Sequence, residues 1–379
     1  MNRREFLMVS TAATLAATTR FASAATRLDM YTSSDANISD FFSNVVKPAF
    51  EAANSGSEMN VVIARPQAAL DAVVQRALAA LSAKADPQLD FIEQYDPLLP
   101  AGGIDAGLWT DFSKAGLKNY GALNKLAIQT PYGLPYRGSQ VLLAYDTTKL
   151  PKDKVPKTFA DLLAWIKANP GQFIYNRPDK GGSGNNFVNR VVHEVSGRDP
   201  KKFTVDNYTQ ATADEVLGKA WAVLNDLAPS LYDKGGYTAG NTASLQLLAQ
   251  GAVTMIPAWS DQALQAIAKG VLPETTGLVQ LTDLALCGDF SKAVIPSNAA
   301  HRDDALKLAD FLLSQEMQTA IIEKLGGFPA VDWSTLPKAL HDKYADVIPS
   351  SIPTFPQGPW TKAVQDGWYR NVAPNISRT

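Results

Sequence analysis

The sequence predicts an α/β protein with two lobes, each a mostly parallel sheet flanked by helices. Short apolar or β-branched segments alternate along the chain with segments of helical period, the pattern of strands separated by covering helices. The chain has 379 residues, which is enough for two domains. Hydrophobic residues make up 46% of it, and Cys287 is its single cysteine. No internal disulfide can therefore form, and apolar packing must hold the fold together.

The chain begins with a segment typical of a cleavable export signal, which we assign to residues 1–24. Arg3 and Arg4 precede an apolar run that is too short and too rich in Ala and Thr to span a bilayer permanently. The arginine pair is similar to that of a twin-arginine signal, and a chance pair within a Sec signal is the alternative. In both cases we expect cleavage near Ala24/Ala25 and a mature protein in the periplasm.

The rest of the chain alternates predicted strands with predicted helices. Strands are expected where short apolar or β-branched runs occur, at 28–31, 60–64, 89–93, 141–145, 172–175, 253–256, 277–281 and 293–295. Helices are expected where apolar residues recur three and four positions apart, at 40–53, 67–81, 158–168, 186–195, 213–227, 261–268 and 305–322. Most of these helices lie between two strands, as in parallel βαβ units.

Charge and composition exclude several classes of partner. The net charge is −2, and no basic run forms a footprint for nucleic acid or for an anionic membrane. After the export signal, no apolar segment is long enough for a membrane-spanning helix. We therefore expect neither nucleic acid nor a membrane anchor.

Residues for catalysis or for a metal site are scarce. The histidines are His193, His301 and His341, and none has another ligand at metal-binding spacing. His193 is expected on a solvated helix face, and no base is evident near Cys287. The sequence predicts no cofactor and no metal. An exported enzyme acting on a small polar substrate remains the alternative, because twin-arginine cargo often carries cofactors.

A series of motifs occurs in a fixed order through the middle and end of the chain. Leu-Pro-Tyr-Arg-Gly opens 134–146, and Pro-Lys-Thr-Phe-Ala-Asp-Leu-Leu follows at 156–163. A helix–Gly–strand unit occupies 248–255, a strand and an Ala-x-x-Leu-x-x-Phe-Leu helix fall within 294–312, and Gly-Gly-Phe-Pro-Ala lies at 326–330. In order and spacing these motifs resemble the bacterial extracellular solute-binding proteins of ABC importers, in their type II-like branch.

This resemblance implies a function without chemistry. Such proteins close two α/β lobes on a solute and deliver it to an inner-membrane ABC permease, so we expect a monomer with a small-molecule ligand and that permease as partners. The resemblance implies a first lobe at 25–137, a second lobe at 138–258 and a return to the first lobe at 259–300. Residues 301–379 are expected to form helices that pack across both lobes, mainly on the second.

The candidate ligand-binding residues follow predicted strands, open predicted helices or lie on the segment that crosses between lobes. Ligands of open α/β sheets lie outside the carboxyl ends of the strands, and helix N-termini offer free N–H groups. The candidates are Ser33, Ser34, Asp35, Gln94, Tyr95, Tyr136, Arg137, Ser183, Asn185, Asn241, Trp259 and Asp261.

Each candidate also has a structural interpretation. The polar residues 33–35 and the Gly-rich segment 181–186 could simply cap the helices that follow them. Arg137 could form an interlobe salt bridge, and Trp259 could belong to the core. These alternatives stay open at the level of the sequence.

The candidates do not decide the charge of the ligand. Trp259 offers a flat face to a sugar, a heterocycle or a cation, and Asp261 adds a negative charge. Arg137 has the fork geometry that suits a carboxylate or phosphate. Polyamine-like or thiamine-like cations, sugars and sugar acids therefore all remain. Ferric ion is the least favoured, because an iron-binding relative is expected to carry adjacent tyrosines and Tyr232 and Tyr237 are five positions apart.

Overall fold

The computed structural model describes residues 26–34, 36–65, 67–97, 103–345, 347–348 and 351–378, so the predicted export signal lies outside the described residues. Strands and helices alternate, and the predicted α/β fold is confirmed. The strands are β1 Thr26–Thr32, β2 Ser57–Ile63, β3 Phe91–Glu93, β4 Leu134–Asp146, β5 Met255–Trp259, β6 Thr276–Val279, β7 Gly288–Ala293 and β8 Phe328–Pro329.

The helices follow local sequence signals. The Thr158 side chain accepts a hydrogen bond from the Asp161 amide while Asp161 reaches back to Thr158, a capping box that starts α4. Among the described helices, none combines the length and apolar character that a membrane span requires. The α-helices are α1 Ala36–Phe41, α2 Lys47–Ala53, α3 Gln67–Ala83, α4 Phe159–Ala168, α5 Gly182–Val195, α6 Gln210–Leu227, α7 Asn241–Ala249, α8 Ser260–Ala268, α9 Arg302–Leu312, α10 Gln315–Ala320, α11 Lys338–Tyr344 and α12 Pro359–Asn371.

Two sheets form the framework. The first has the order β2-β1-β3, and both of its pairings are parallel. The second is organised around β4, which pairs antiparallel with β5 and β6 through its later residues and with β7 and β8 through its earlier ones. Mostly parallel pairing was expected in both lobes. The pairings of β4 differ from this expectation, because β5, β6 and β7 all run in the direction opposite to β4.

Two groups of buried residues define the lobes. In the first lobe, the core draws on segments between Leu28 and Tyr136 and between Phe290 and Leu340. In the second lobe, the core draws on segments between Val141 and Leu286, joined by α12. Strand β4 runs from one core into the other, so it is the first connection between the lobes.

The later crossings differ from the boundaries implied by the resemblance. Helix α8 packs its Ala263 and Ala266 with the second lobe, and the chain returns to the first lobe only near residues 287–290. Helices α9, α10 and α11 pack on the first lobe, and α12 alone of these C-terminal helices packs on the second. The late return has a cause in strand pairing. Strand β6 pairs with the second-lobe half of β4, so the chain that precedes β6 stays in the second lobe. An amphipathic pattern shows that a helix is half-buried but not which core it covers.

Some elements were predicted only in part. The apolar run at 172–175 does not form a strand, but Phe173 makes an isolated parallel bridge to Met255. The single helix expected at 305–322 is broken between α9 and α10, where the Ser314 side chain caps the second helix. The strand expected at 141–145 is the second half of β4, whose first half begins at Leu134.

Candidate functional site

A cleft of about 660 Å³ is lined by residues of both lobes. This volume lies within the roughly 300–1,000 Å³ typical of small-molecule sites. The first lobe contributes the chain after β1 and β3, together with β7. The second lobe contributes the starts of α7 and α8. Strand β4 passes the cleft and supplies Arg137 and Ser139.

The cleft brings together most of the candidates predicted from the sequence. Those that line it are Ser33, Ser34, Gln94, Tyr95, Arg137, Asn241, Trp259 and Asp261. They come from the ends of strands, the starts of helices and the crossing strand, so residues far apart in the chain meet at one place. Their role in ligand binding remains a prediction.

The other candidates do not line the cleft. Tyr136 and Ser183 are fully buried in the protein interior. The Oδ1 atom of Asn185 is buried without a hydrogen-bond partner, and this residue is also absent from the lining. Asp35 lies outside the described residues. The Tyr136 hydroxyl donates to Glu93, and the Ser183 hydroxyl donates to Asn176 and Asn241. A ligand-binding role for these two candidates remains a prediction.

Several lining residues were missed by the sequence reasoning. Ser139 lies two positions after Arg137 on β4, and residues two apart on a strand share a face, so this signal was available. Strand β7 was predicted too late in the chain, which hid its contribution. The lining residues not among the candidates are Asn37, Ile38, Asp71, Asp96, Ser139, Gln262, Asp289, Phe290, Ser291 and Lys292.

Glu93, at the end of β3, organises the floor of the cleft. Its side chain is fully buried. One carboxylate oxygen accepts hydrogen bonds from the Thr32 hydroxyl at 2.6 Å and the Ser34 hydroxyl at 2.6 Å. The other oxygen accepts from the Tyr136 hydroxyl and lies 3.9 Å from the Arg137 guanidinium. Glu93 is therefore saturated by the protein itself, which explains why these hydroxyls point inward.

Arg137 is held by several groups at once. Its Nε donates to the Tyr136 hydroxyl at 2.8 Å, and a terminal nitrogen donates to the Gln94 side-chain oxygen at 3.2 Å. Burial alone would lower the pKa of Arg137, but Tyr136, Glu93 and Asp261 outweigh burial and raise that pKa above its ordinary value. Burial likewise raises the pKa of Tyr136 well above its ordinary value. At physiological pH, the arginine is therefore charged and the tyrosine neutral.

Gln94 and Tyr95 form the rim of the cleft beyond β3. Gln94 has a backbone φ of 57°, which is uncommon for a residue other than glycine. The Tyr95 ring packs on Trp109 with 5.7 Å between ring centroids. Burial, followed by the nearby Asp71 and Asp96 carboxylates, raises the pKa of Tyr95 to about 12. Its hydroxyl therefore stays neutral over the physiological range.

The second-lobe wall is built from the end of β5 and the first turn of α8. An oxygen of Asp261 accepts a hydrogen bond from the Ser139 hydroxyl at 2.8 Å. The Trp259 ring packs beside Phe355 with 6.1 Å between centroids. The same ring covers Gly182, where a Cβ would lie 2.7 Å from an indole carbon. Trp259 is half-buried and both packs on the protein and lines the cleft.

The Gly-rich segment 181–186 forms the start of α5 and packs closely against neighbouring residues. The Ser183 hydroxyl donates within a cluster formed with the Asn176 and Asn241 side-chain oxygens, at 2.7 and 2.8 Å. The Gly184 amide donates to Asn176 at 2.8 Å, and a Cβ on Gly184 would lie only 1.8 Å from the Asn176 carbonyl oxygen. The Ser183 hydroxyl thus ties the start of α5 to Asn176 and Asn241 without capping the helix, and Asn241 joins this cluster to the cleft.

His193 and Cys287 are buried in the second lobe. His193 was expected to be solvated, but its side chain is fully buried against the Phe203 ring at 5.2 Å between centroids. Burial and the charge of Arg190 lower the pKa of His193 to about 4. Burial raises the pKa of the Cys287 thiol to about 12. Among the described residues, no group of three His, Cys, Asp or Glu side chains is placed to hold a metal ion.

A comparison with protein families identifies the class. The bacterial extracellular solute-binding protein family matches residues 46–346. The chain belongs to this family. Its expected place outside the cytoplasm agrees with the family description, and the resemblance drawn from the sequence motifs is confirmed.

Known relatives are distant in sequence. Protein YnjB of Escherichia coli K12 is 27% identical over 246 residues, which cover 62% of this chain and 61% of that protein. The alignment thus spans less than two thirds of this curated relative.

Solved structures share the two-lobed fold. A Bordetella parapertussis protein classed as an extracellular solute-binding protein superimposes with a TM-score of 0.68 at 16% identity, covering 92% of this chain and 99% of that one. The spermidine/putrescine-binding protein PotD of Streptococcus pneumoniae gives 0.66 at 14% identity, with 91% and 98% covered. A periplasmic thiamin-binding protein gives 0.57 at 18% identity, with 93% and 96% covered. At these identities, the likeness shows the fold.

Proposed function

We propose that this protein is the periplasmic substrate-binding component of an ABC importer. It captures a small polar organic solute in the cleft between the lobes and delivers it to an inner-membrane permease. The protein acts as a monomer and reaches the periplasm through a twin-arginine signal at residues 1–24 that is cleaved near Ala25. The solute leaves the protein chemically unaltered.

The observation that carries this proposal is the shared lining of the cleft. Ser34 and Gln94 belong to the first lobe, Trp259 and Asp261 to the second, and Arg137 to the strand that connects them. A solute held by both walls stabilises the closed arrangement in proportion to its contacts with each lobe. Membership of the solute-binding family supports the same role.

The character of the lining favours binding over catalysis. The described residues around the cleft include neither a histidine nor a cysteine, and His193 and Cys287 are buried elsewhere. The Arg137 guanidinium and the Glu93 carboxylate are engaged with each other and with neighbouring hydroxyls. These groups hold the cleft in shape.

Small-angle scattering with the mature protein tests the proposal. A solute captured from a bacterial small-molecule extract should bind one per monomer and reduce the radius of gyration. The same compound, released by denaturation after long incubation, should have an unchanged mass. Steady conversion of the compound would favour the exported-enzyme alternative. A radius that stays constant at saturation would contradict closure of the lobes.

Export is tested separately. Replacing Arg3 and Arg4 with lysines should retain the precursor in the cytoplasm if the twin-arginine route is used. Normal export of this variant would assign the signal to the Sec route and leave the binding role intact.

A further inference from the structure

The charges around the cleft are strongly unequal. Among the described residues, four carboxylates and two cationic side chains line it. The carboxylates are Asp71, Asp96, Asp261 and Asp289, and the cations are Arg137 and Lys292. A concave site with an excess of one sign concentrates ligands of the opposite sign. The imbalance indicates a cation.

Both cationic groups already have carboxylate partners. Arg137 lies 3.9 Å from Glu93 and directs its Nε to Tyr136, and only 6% of the residue is exposed. The Lys292 ammonium lies 3.4 Å from Asp289. An anionic ligand would have to compete with these partners for the arginine fork. Arg137, the residue that favoured an acidic ligand in the sequence, is therefore already engaged by Glu93 and Tyr136.

Asp261 is held less directly. It lies within electrostatic range of Arg137, whose pKa it helps to raise, but the hydrogen bond described for its carboxylate comes from the neutral hydroxyl of Ser139. The neighbouring Gln262 has a side-chain oxygen that is buried without a hydrogen-bond partner. A ligand N–H could satisfy this acceptor, and a buried acceptor left unpaired is costly. The side-chain oxygens of Asp261 and Gln262, adjacent in the first turn of α8, are therefore placed to accept hydrogen bonds from a ligand donor.

An aromatic face stands next to these acceptors. Trp259 lines the cleft two positions before Asp261, and tryptophan is the side chain that attracts cations most strongly through its ring. A carboxylate beside an indole suits an organic ammonium or a positively charged heterocycle. A bare metal ion is disfavoured, because no three acidic, histidine or cysteine side chains of the described chain are grouped to hold one.

We infer that the solute is a small organic cation, held by the Asp261 carboxylate and the Trp259 ring. This inference rests on the proposed binding function and adds the chemical class of the ligand. Asp261 binds the cationic nitrogen, Ser139 is the positioning residue that fixes the carboxylate, and Arg137 with Glu93 maintains the floor.

The test begins with capture. Mature protein is stripped of ligand by unfolding and refolding and is then incubated with a small-molecule extract of bacterial cells. The complex is isolated by gel filtration, and the released compound is identified by mass spectrometry in both polarities. We expect a compound with a protonated amine or a fixed positive charge at pH 7. A neutral or anionic compound would overturn the inference while leaving the binding function in place. Capture of nothing by folded protein would overturn both.

The second arm measures affinity for the captured compound. Asp261→Asn keeps the size of the side chain and an acceptor for Ser139 but removes the charge. Because a hydrogen bond to a charged group is involved, affinity should fall by about 10- to 150-fold. The control is Asp153→Asn, which removes one negative charge at an exposed position outside the cleft. This variant should bind the compound as tightly as the wild type does. Equal affinity of the two variants would remove Asp261 from the site. If Asp261→Asn fails to fold, the charge of the captured compound still decides the class.

Discussion

Replacing Glu93 with Gln tests the buried network that shapes the cleft. The substitution keeps the size of the side chain but removes its negative charge. Arg137, with only 6% of its surface exposed, would then keep a positive charge without the partner at 3.9 Å. The amide would also have one acceptor oxygen where the carboxylate has two, which now serve the hydroxyls of Thr32, Ser34 and Tyr136.

The expected loss follows from the distance. Two unit charges 3.9 Å apart attract by about 4 kcal/mol at an effective dielectric constant of about 20. Removing one partner of a buried pair typically costs about 3–5 kcal/mol, because the other charge is left uncompensated. We expect the free energy of unfolding of Glu93→Gln to fall by this amount.

Urea unfolding followed by circular dichroism measures the change. The matched control is Asp342→Asn, which removes the partner of Lys338 on α11, where the two side chains are 57% and 85% exposed. Solvent screens such a pair, so its loss should change stability little.

A double variant separates the pair from its surroundings. Glu93→Gln combined with Arg137→Met removes both charges. The loss of stability in this double variant should be smaller than the sum of the two single losses by a measurable coupling energy. If Glu93→Gln were no more destabilising than Asp342→Asn, or if the single losses were additive, the charge-pair reasoning would be refuted.

Further expectations concern buried groups and one close approach. The pKa of His193 is about 4 in the folded protein and about 6.5 when unfolded, so the unfolded chain gains the proton first as pH falls. Urea unfolding should show a loss of about 3 kcal/mol between pH 6.5 and 4 that His193→Phe reduces, and parallel pH profiles would contradict this. The Cys287 thiol, with a pKa of about 12, should react with Ellman's reagent at pH 8 only after unfolding, and rapid labelling of native protein would contradict its burial. Gly184→Ala should lower stability by about 1–3 kcal/mol, because its Cβ would lie 1.8 Å from the Asn176 carbonyl oxygen. Gly218→Ala, at an exposed helical position with open space around it, should raise stability by about 0.5–1 kcal/mol, and equal melting temperatures of the two variants would refute the packing argument.

Much of the candidate site could be predicted because parallel α/β folds collect polar residues where strands end and helices begin. Gln94 follows β3, Asn241 opens α7, and Trp259 ends β5, and each lines the cleft. Position in the chain could not tell which polar residues face outward. Ser183 opens a helix as Asn241 does, but its hydroxyl is consumed by Asn176 and Asn241.

The same limit applies to charge. The sequence offers Arg137 and Asp261 as equal arguments for an acid and for a cation. In the structure, Glu93 is the buried partner that engages Arg137. Such a pairing depends on β3 and β4 meeting in space, which periodicity along the chain does not encode.

The sequence by itself determined the α/β class, the family and the alternation of elements, because these depend on local periodicity and on motifs of fixed spacing. The tertiary structure decided that α9 to α11 cover the first lobe, that β4 pairs antiparallel, and that Asp261 faces a cleft while Glu93 is sealed beneath it. These outcomes depend on contacts between residues that lie far apart in the chain, from 43 positions for Glu93 and Tyr136 to 122 for Ser139 and Asp261. A local pattern shows that a side chain is to be buried or exposed, but only packing selects its neighbour.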